Sequence, residues 1–247
     1  EGLEHPERVV GFHFFNPVAV MPLLEIARTS HTDDATTATA VSIGKELKKT
    51  MIICKDAPGF VVNRLLTRFM GEITDAVDEG TDPQVADNAM RSIGFPMSPF
   101  ELLGLVGPGV AVHVAETLHA NLGPRYRISP TMQAMVKAGV KTFYIKNDDG
   151  TYGANPAALA LIHKGDAPST AEQVRLRALK ALAEEARMML DEGVVSSPAE
   201  IDLCMLMGAG WPMHLGGILP FLDREGISDS VCGSRFHPAG VASLPSK

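Results

Sequence analysis

Apolar positions follow two rhythms along this chain. In Val9-Val10-Gly11-Phe12-His13-Phe14-Phe15, β-branched and aromatic residues run together and stop at Asn16-Pro17, a turn signal, so the run predicts a strand. Met21 to Ala27 and Met51 to Cys54 predict two more. Between them, residues 33–49 are rich in Ala and Thr, with Asp near the start and Lys near the end. That is the charge order a helix dipole favours. Strand, strand, helix, strand is too little for a sheet that stands alone, and reads as the tail of a larger α/β layer.

From Asp56 the rhythm turns helical. Asp56 reads as an N-cap with Pro58 in the first turn. Val62, Leu66, Phe69, Ile73 and Val77 then recur every three or four positions down to Gly80. Helices are also predicted over 83–92 and 110–120. Ser169-Thr170-Ala171-Glu172 reads as a capping box that opens a helix with Val174, Ala178, Leu182, Ala186 and Leu190 on one face, closed by Gly193. Residues 120–168, rich in Gly, Pro, Asp and Asn, read as a connector.

The two long helices carry matching landmarks. The first ends Asp78-Glu79-Gly80 and is followed by Gly94-Phe95-Pro96-Met97; the second ends Asp191-Glu192-Gly193 and is followed by Gly210-Trp211-Pro212-Met213. Two shared strings in one order, each behind an amphipathic helix, indicate duplicated all-α units, the second copy a few residues longer.

Bulk properties narrow the classes. At 247 residues, 45% hydrophobic and 21% charged, the chain can bury a real core. A net charge of −7 argues against a nucleic-acid partner, which would want a basic face. Cys54, Cys204 and Cys232 form no C-x-x-C pair, which fits a reducing, cytoplasmic setting. No apolar run approaches the roughly 20 residues of a membrane span. The first residues are Glu1-Gly2-Leu3, without an initiator Met, so the chain reads as a fragment.

The chemistry concentrates near the start. In a strand over 9–15, His13 shares a face with Gly11 and Phe15 while Phe12 and Phe14 anchor the other. After the Asn-Pro turn, the next strand can return Glu25 alongside His13. A carboxylate on one imidazole nitrogen sets the tautomer and leaves the other nitrogen to take a proton. Taken alone, the pair fits a structural core histidine on a buried carboxylate better than a catalytic one, and Asn63 fits a helix-surface amide better than a ligand contact. His113, His119, His163 and His214 share no metal-ligand spacing, so no metal site is read. Gly107-Pro108-Gly109 and Gly208-Ala209-Gly210 lack the third Gly of a dinucleotide loop, with Val112 and Met213 in its place; both read as turns.

Gly11-Phe12-His13-Phe14-Phe15-Asn16-Pro17 with Glu25 resembles the signature of the 3-hydroxyacyl-CoA dehydrogenase family. Lys55-Asp56 with Pro58-Gly59-Phe60-Val61-Val62-Asn63-Arg64 resembles its next block, and Gly94-Phe95-Pro96-Met97-Ser98-Pro99-Phe100-Glu101-Leu102 a third. The resemblance spans essentially the whole chain, because a second helical copy is typical of multifunctional fatty-oxidation subunits. It implies a mainly α protein: the C-terminal edge of a Rossmann-like α/β domain over 1–54, then two repeated all-α domains over 55–150 and 151–247. It also implies oxidation of L-3-hydroxyacyl-CoA to 3-ketoacyl-CoA with NAD in fatty-acid β-oxidation. By resemblance, His13 is the catalytic base, Glu25 its orienting carboxylate, Asn16 a contact to NAD, and Asn63 a contact to the acyl-CoA near its reacting oxygen. The implied partners are the acyl-CoA substrate, a thiolase subunit and further copies of the chain.

Two positions depart from the family pattern. Ser98 stands where the family usually has Gly, and Gly104 where it often has Asp; both bear on packing more than chemistry. Residues 140–144 resemble a shortened family segment, and Lys141 is left unassigned. Rival readings are a non-catalytic helical scaffold or oligomerisation module, and a 3-hydroxybutyryl-CoA dehydrogenase used in synthesis. The duplicated helical half tilts against the second rival. With no NAD-binding core or hydratase segment in the sequence, the isolated chain is expected to bind NAD weakly and turn over little, which a steady-state assay checks.

Overall fold

A computed structural model describes residues 2–146 and 152–241. In chain order the elements are β1 (Val10–Phe14), β2 (Leu23–Arg28), α1 (Asp34–Glu46), β3 (Thr50–Lys55) and α2 (Val62–Asp78). There follow α3 (Pro83–Asn88), α4 (Pro99–Val106), α5 (Pro108–Leu122), α6 (Pro130–Ala138), β4 (Tyr144–Lys146), β5 (Tyr152–Ala154) and α7 (Pro156–Leu159). The last are α8 (Ala171–Asp191), α9 (Pro198–Gly208), α10 (Ile218–Arg224) and α11 (Ile227–Cys232). Contacts divide them into two compact units: Glu1–Leu65 with Ala183–Lys247, and Leu66–Leu182. The end of the chain thus joins the unit that holds its beginning, a division other than the consecutive segments 1–54, 55–150 and 151–247.

In the first unit the sheet runs β1-β2-β3, with β1 antiparallel and β3 parallel to β2. Residue alternation sorts its two faces. Phe12 and Phe14 pack with Leu24, Ile26 and Ala40 of α1 on one side, their two rings edge to face at 5.4 Å. Asp33 starts α1 by accepting a hydrogen bond from the Thr36 amide at 2.6 Å. Leu23, Glu25 and Ala27 point the other way, and there α9 packs on β2 and β3. The approach is close: a Cβ on Gly208 would lie 2.5 Å from Leu23 Cδ2 and 3.0 Å from Val62 Cγ2. Cys54 and Cys204 are both buried in this unit, and burial pushes the Cys54 thiol up to about 12.

The second unit is helical apart from the β4–β5 hairpin, whose connecting residues lie outside the described part. Phe69, Ile73, Ala76 and Val77 of α2 are buried, as are Met90, Phe100, Met135 and Phe143, with the Phe100 and Phe143 rings stacked at 4.2 Å. The segment 120–168 is more ordered than its composition predicts, since it contains α6, the hairpin and α7. Thr170, not Ser169, forms the capping box of α8: its N–H donates to Gln173 Oε1 at 2.7 Å, and the Gln173 amide donates to Thr170 Oγ1. Ser98, at the position where the resembled family has Gly, caps α4 in a capping box with Glu101.

α2 begins at Val62, not at Asp56. Gly59 (φ +75°) and Phe60 (φ +47°) adopt left-handed backbone, which no α-helix can propagate through. The helical turn therefore starts after them, and the Asp56 amide donates instead to the Arg28 carbonyl at 2.9 Å.

The matching landmarks of the two long helices coincide with matching bonds. Asp87 and Asp202 are each the fifth residue of a short helix that opens with proline, Pro83 or Pro198. Asp87 accepts the Phe100 amide on Oδ1 and the Tyr144 hydroxyl on Oδ2, at 2.8 and 2.7 Å. Asp202 accepts the Leu219 amide on Oδ1 at 2.8 Å and holds His237 Nε2 on Oδ2 at 2.7 Å. Each carboxylate thereby ties the next helix start to a later segment. Burial raises Asp202 to about 6, against the pull of its two hydrogen-bond donors.

Replacing Gly208 with Ala would push α9 off the buried Leu23 side chain. A loss of about 1–3 kcal/mol of stability is expected, read as a lower denaturant midpoint; an unchanged midpoint would show that the contact yields freely.

Candidate active site

The antiparallel register pairs His13 directly with Glu25. Their side chains leave the same face, and His13 Nδ1 meets Glu25 Oε2 at 2.7 Å. The ring is fixed from two sides, with Phe15 at 4.7 Å in an edge contact and Phe60 at 5.4 Å between centroids. The carboxylate is fully buried while the imidazole keeps 28% of its side-chain surface. A buried acid thus holds one nitrogen of a ring that stays open to solvent.

The other carboxylate oxygen is held by the start of α2. Glu25 Oε1 accepts the Val61 amide at 3.1 Å and the Val62 amide at 2.9 Å. The first amides of a helix have no carbonyl partner within it and carry the positive end of its dipole. The left-handed Gly59-Phe60 bend brings them onto this acid. With Glu25 ionised, Oε2 accepts from the ring and the ring proton sits on Nδ1. Nε2 is then the nitrogen free to accept a proton.

Asn16 lies just past β1, exposed, three residues from His13 in sequence. Asn63 sits half-buried in the first turn of α2, next to Val62. Among the described residues neither forms a hydrogen bond to His13 or Glu25. The fold brings the histidine and the acid into contact, while Asn16 follows the end of β1 and Asn63 follows Val62, whose amide Glu25 accepts.

Residues 59–152 match the 3-hydroxyacyl-CoA dehydrogenase C-terminal domain, and residues 1–57 match the NAD binding domain of the same enzymes. The chain belongs to the 3-hydroxyacyl-CoA dehydrogenase family. A fatty acid oxidation complex subunit alpha from Acinetobacter baylyi is 32% identical over 249 residues, covering 94% of this chain and 34% of that protein. The chain spans about a third of the length of the curated relatives it matches. The dehydrogenase part of multifunctional enzyme 1 from C. elegans aligns at a TM-score of 0.54 with 25% identity, covering 97% of this chain and 60% of that one. A 3-hydroxybutyryl-CoA dehydrogenase from Escherichia coli K12 shares the fold at a TM-score of 0.70 and 21% identity, over 98% of this chain and 71% of that one.

Sequence reasoning about this member of the 3-hydroxyacyl-CoA dehydrogenase family missed the Val61 and Val62 amides, the Phe60 ring, and a buried arginine. Arg64, in the first turn of α2, is fully buried between Glu185 and Glu192. Backbone amides leave no mark in residue identity. The arginine does leave one: Arg64, Glu72 and Glu79 recur as Arg177, Glu185 and Glu192 at one constant spacing in the second long helix.

Replacing Glu25 with Leu would strand two buried amide donors at the start of α2. A loss of about 2–5 kcal/mol is expected. Glu25→Gln keeps an acceptor for both amides and should lose clearly less. Equal urea midpoints for the two variants would contradict this geometry.

Proposed function

We propose that this chain supplies the base, its orienting carboxylate and part of the ligand surface of an NAD-dependent L-3-hydroxyacyl-CoA dehydrogenase working in fatty-acid β-oxidation. The observation that carries the reading is the 2.7 Å contact between the open His13 ring and the buried Glu25 carboxylate. His13 Nε2 removes the proton of the substrate's 3-hydroxyl, and Glu25 steadies the imidazolium that results. NAD, when bound, takes up the hydride released at C3. In reverse, the same nitrogen returns the proton to the ketone oxygen.

Asn16 is assigned to the NAD side. Its exposed amide at the carboxyl end of β1 fits a polar cofactor, since ligands of open α/β sheets collect at strand carboxyl ends. Asn63 is assigned to the acyl-CoA, where an amide near the reacting oxygen would hold its developing charge. Both rest on family resemblance supported by position.

The sequence modules proposed are an edge of the NAD-binding domain over 1–54 and two related all-α copies over 55–150 and 151–247. The paired Asp87 and Asp202 bonds support the duplication. Relatives named as subunits of a fatty acid oxidation complex support membership of such an assembly; a thiolase subunit and further copies of the chain as partners, and a cytoplasmic setting, are proposed from the family resemblance alone. Among the described residues no single helix is long and apolar enough to cross a membrane.

In the full-length protein, His13→Gln should lower kcat by about 10²- to 10⁴-fold while acyl-CoA binding changes little. Unchanged dehydrogenase turnover would overturn the assignment.

A further inference from the structure

Two ion-pair clamps of one chemistry occupy equivalent places in the two long helices. Arg64 Nε donates to Glu185 Oε1 at 2.6 Å, and its two terminal nitrogens fork onto Glu192 at 2.6 and 3.0 Å. Arg177 repeats the arrangement on Glu72 and Glu79, at 3.2 Å for Nε and 2.5 and 3.2 Å for the fork. Each clamp lies within its own compact unit. Their settings differ. The Arg64 and Glu185 side chains have no exposed surface, whereas Arg177 keeps 33% of its own.

Arg64 also stands where it can act on the site. It lies one helical turn beyond Val61, whose amide, with that of Val62, grips Glu25. Its own amide closes the preceding bend by donating to the Gly59 carbonyl at 3.1 Å. That bend contains Phe60 in left-handed backbone, a strained conformation for a residue with a side chain and one kept only where the surroundings enforce it. Glu192 is anchored in turn: the neighbouring Val194 carbonyl accepts the Lys55 amide at the end of β3, at 2.8 Å. A planar guanidinium held by Nε and by both fork nitrogens fixes direction as well as distance, which a lysine cannot do.

We infer that Arg64 is a positioning residue for the reaction: its clamp on Glu185 and Glu192 sets the first turn of α2, the amides of that turn set Glu25, and Glu25 sets His13. The catalytic side of this rests on His13 being the base. Arg177 supplies the internal control, because its turn of α8 carries none of His13, Glu25, Asn16 or Asn63.

The experiment compares Arg64→Met, Arg64→Lys, Arg177→Met and His13→Gln in the full-length protein. It measures thermal midpoints, kcat and KM, and the ring-nitrogen NMR signals of ¹⁵N-histidine-labelled protein, the His13 signal being identified by its loss in His13→Gln. Both methionine variants should melt earlier. Only Arg64→Met should lower kcat, by about 10- to 100-fold with KM little changed, and convert the single Nδ1–H signal of His13 into a tautomer mixture. Arg64→Lys should recover part of both. Equal kcat in the two methionine variants with an unchanged His13 signal would overturn the inference and leave Arg64 a plain structural ion pair. If Arg64→Met does not fold, Glu192→Gln takes its place, and the same two outcomes decide. Intact turnover in His13→Gln would instead overturn the base assignment, whereas a His13 tautomer change in Arg64→Met would still uphold the link from arginine to imidazole.

Discussion

Glu25 is a fully buried carboxylate reached by donors from two elements, a ring nitrogen on β1 and two amides at the start of α2. A charge in that position is costly unless every oxygen is served. Meeting that demand fixes several things together: the register of β1 on β2, the place where α2 begins, and which nitrogen of His13 faces the acid. Moving the strand pairing by one residue would turn Glu25 to the α1 side, among Phe12 and Phe14, and send Ile26 to the opposite face. The apolar face and the polar face of this small sheet therefore enforce one another.

The same economy of parts appears in the helices. An acid in a short proline-led helix caps the following helix twice, through Asp87 and through Asp202, and receives a second donor each time from a later segment, Tyr144 in one case and His237 in the other. The arginine clamps likewise occur twice with equivalent partners. The two clamps differ in what surrounds them. In the first unit α9 covers the Glu25 side of the sheet, so a helix from late in the chain supports the His13–Glu25 pair without containing either residue.

Much of the site was readable from residue order. The alternation over 9–15 put His13 opposite the Phe12 and Phe14 anchors, and a short turn at Asn16-Pro17 allowed Glu25 to come back beside it. Start and stop signals were less reliable. Asp56 and Pro58 looked like a helix opening because nothing in their identities reveals that Phe60 takes a left-handed conformation. Ser169 and Thr170 both suit an N-cap, and only the backbone path decides that Thr170 serves. The segment 120–168 looked irregular because its Gly and Pro residues punctuate elements that are short but formed.

Local pattern, then, determined the strands, the long amphipathic helices, the duplication signal and the pairing of His13 with Glu25, since each follows from side-chain periodicity or from neighbours linked by a turn. Tertiary structure alone decided that residues beyond 183 return to the sheet formed by the first 65, that free helix amides serve as the second grip on Glu25, and that Arg64 lies buried between two acids far along the chain. The reason is physical. Periodicity records which face of an element is apolar, but not which distant surface will cover it, and a backbone N–H is the same whichever side chain its residue carries.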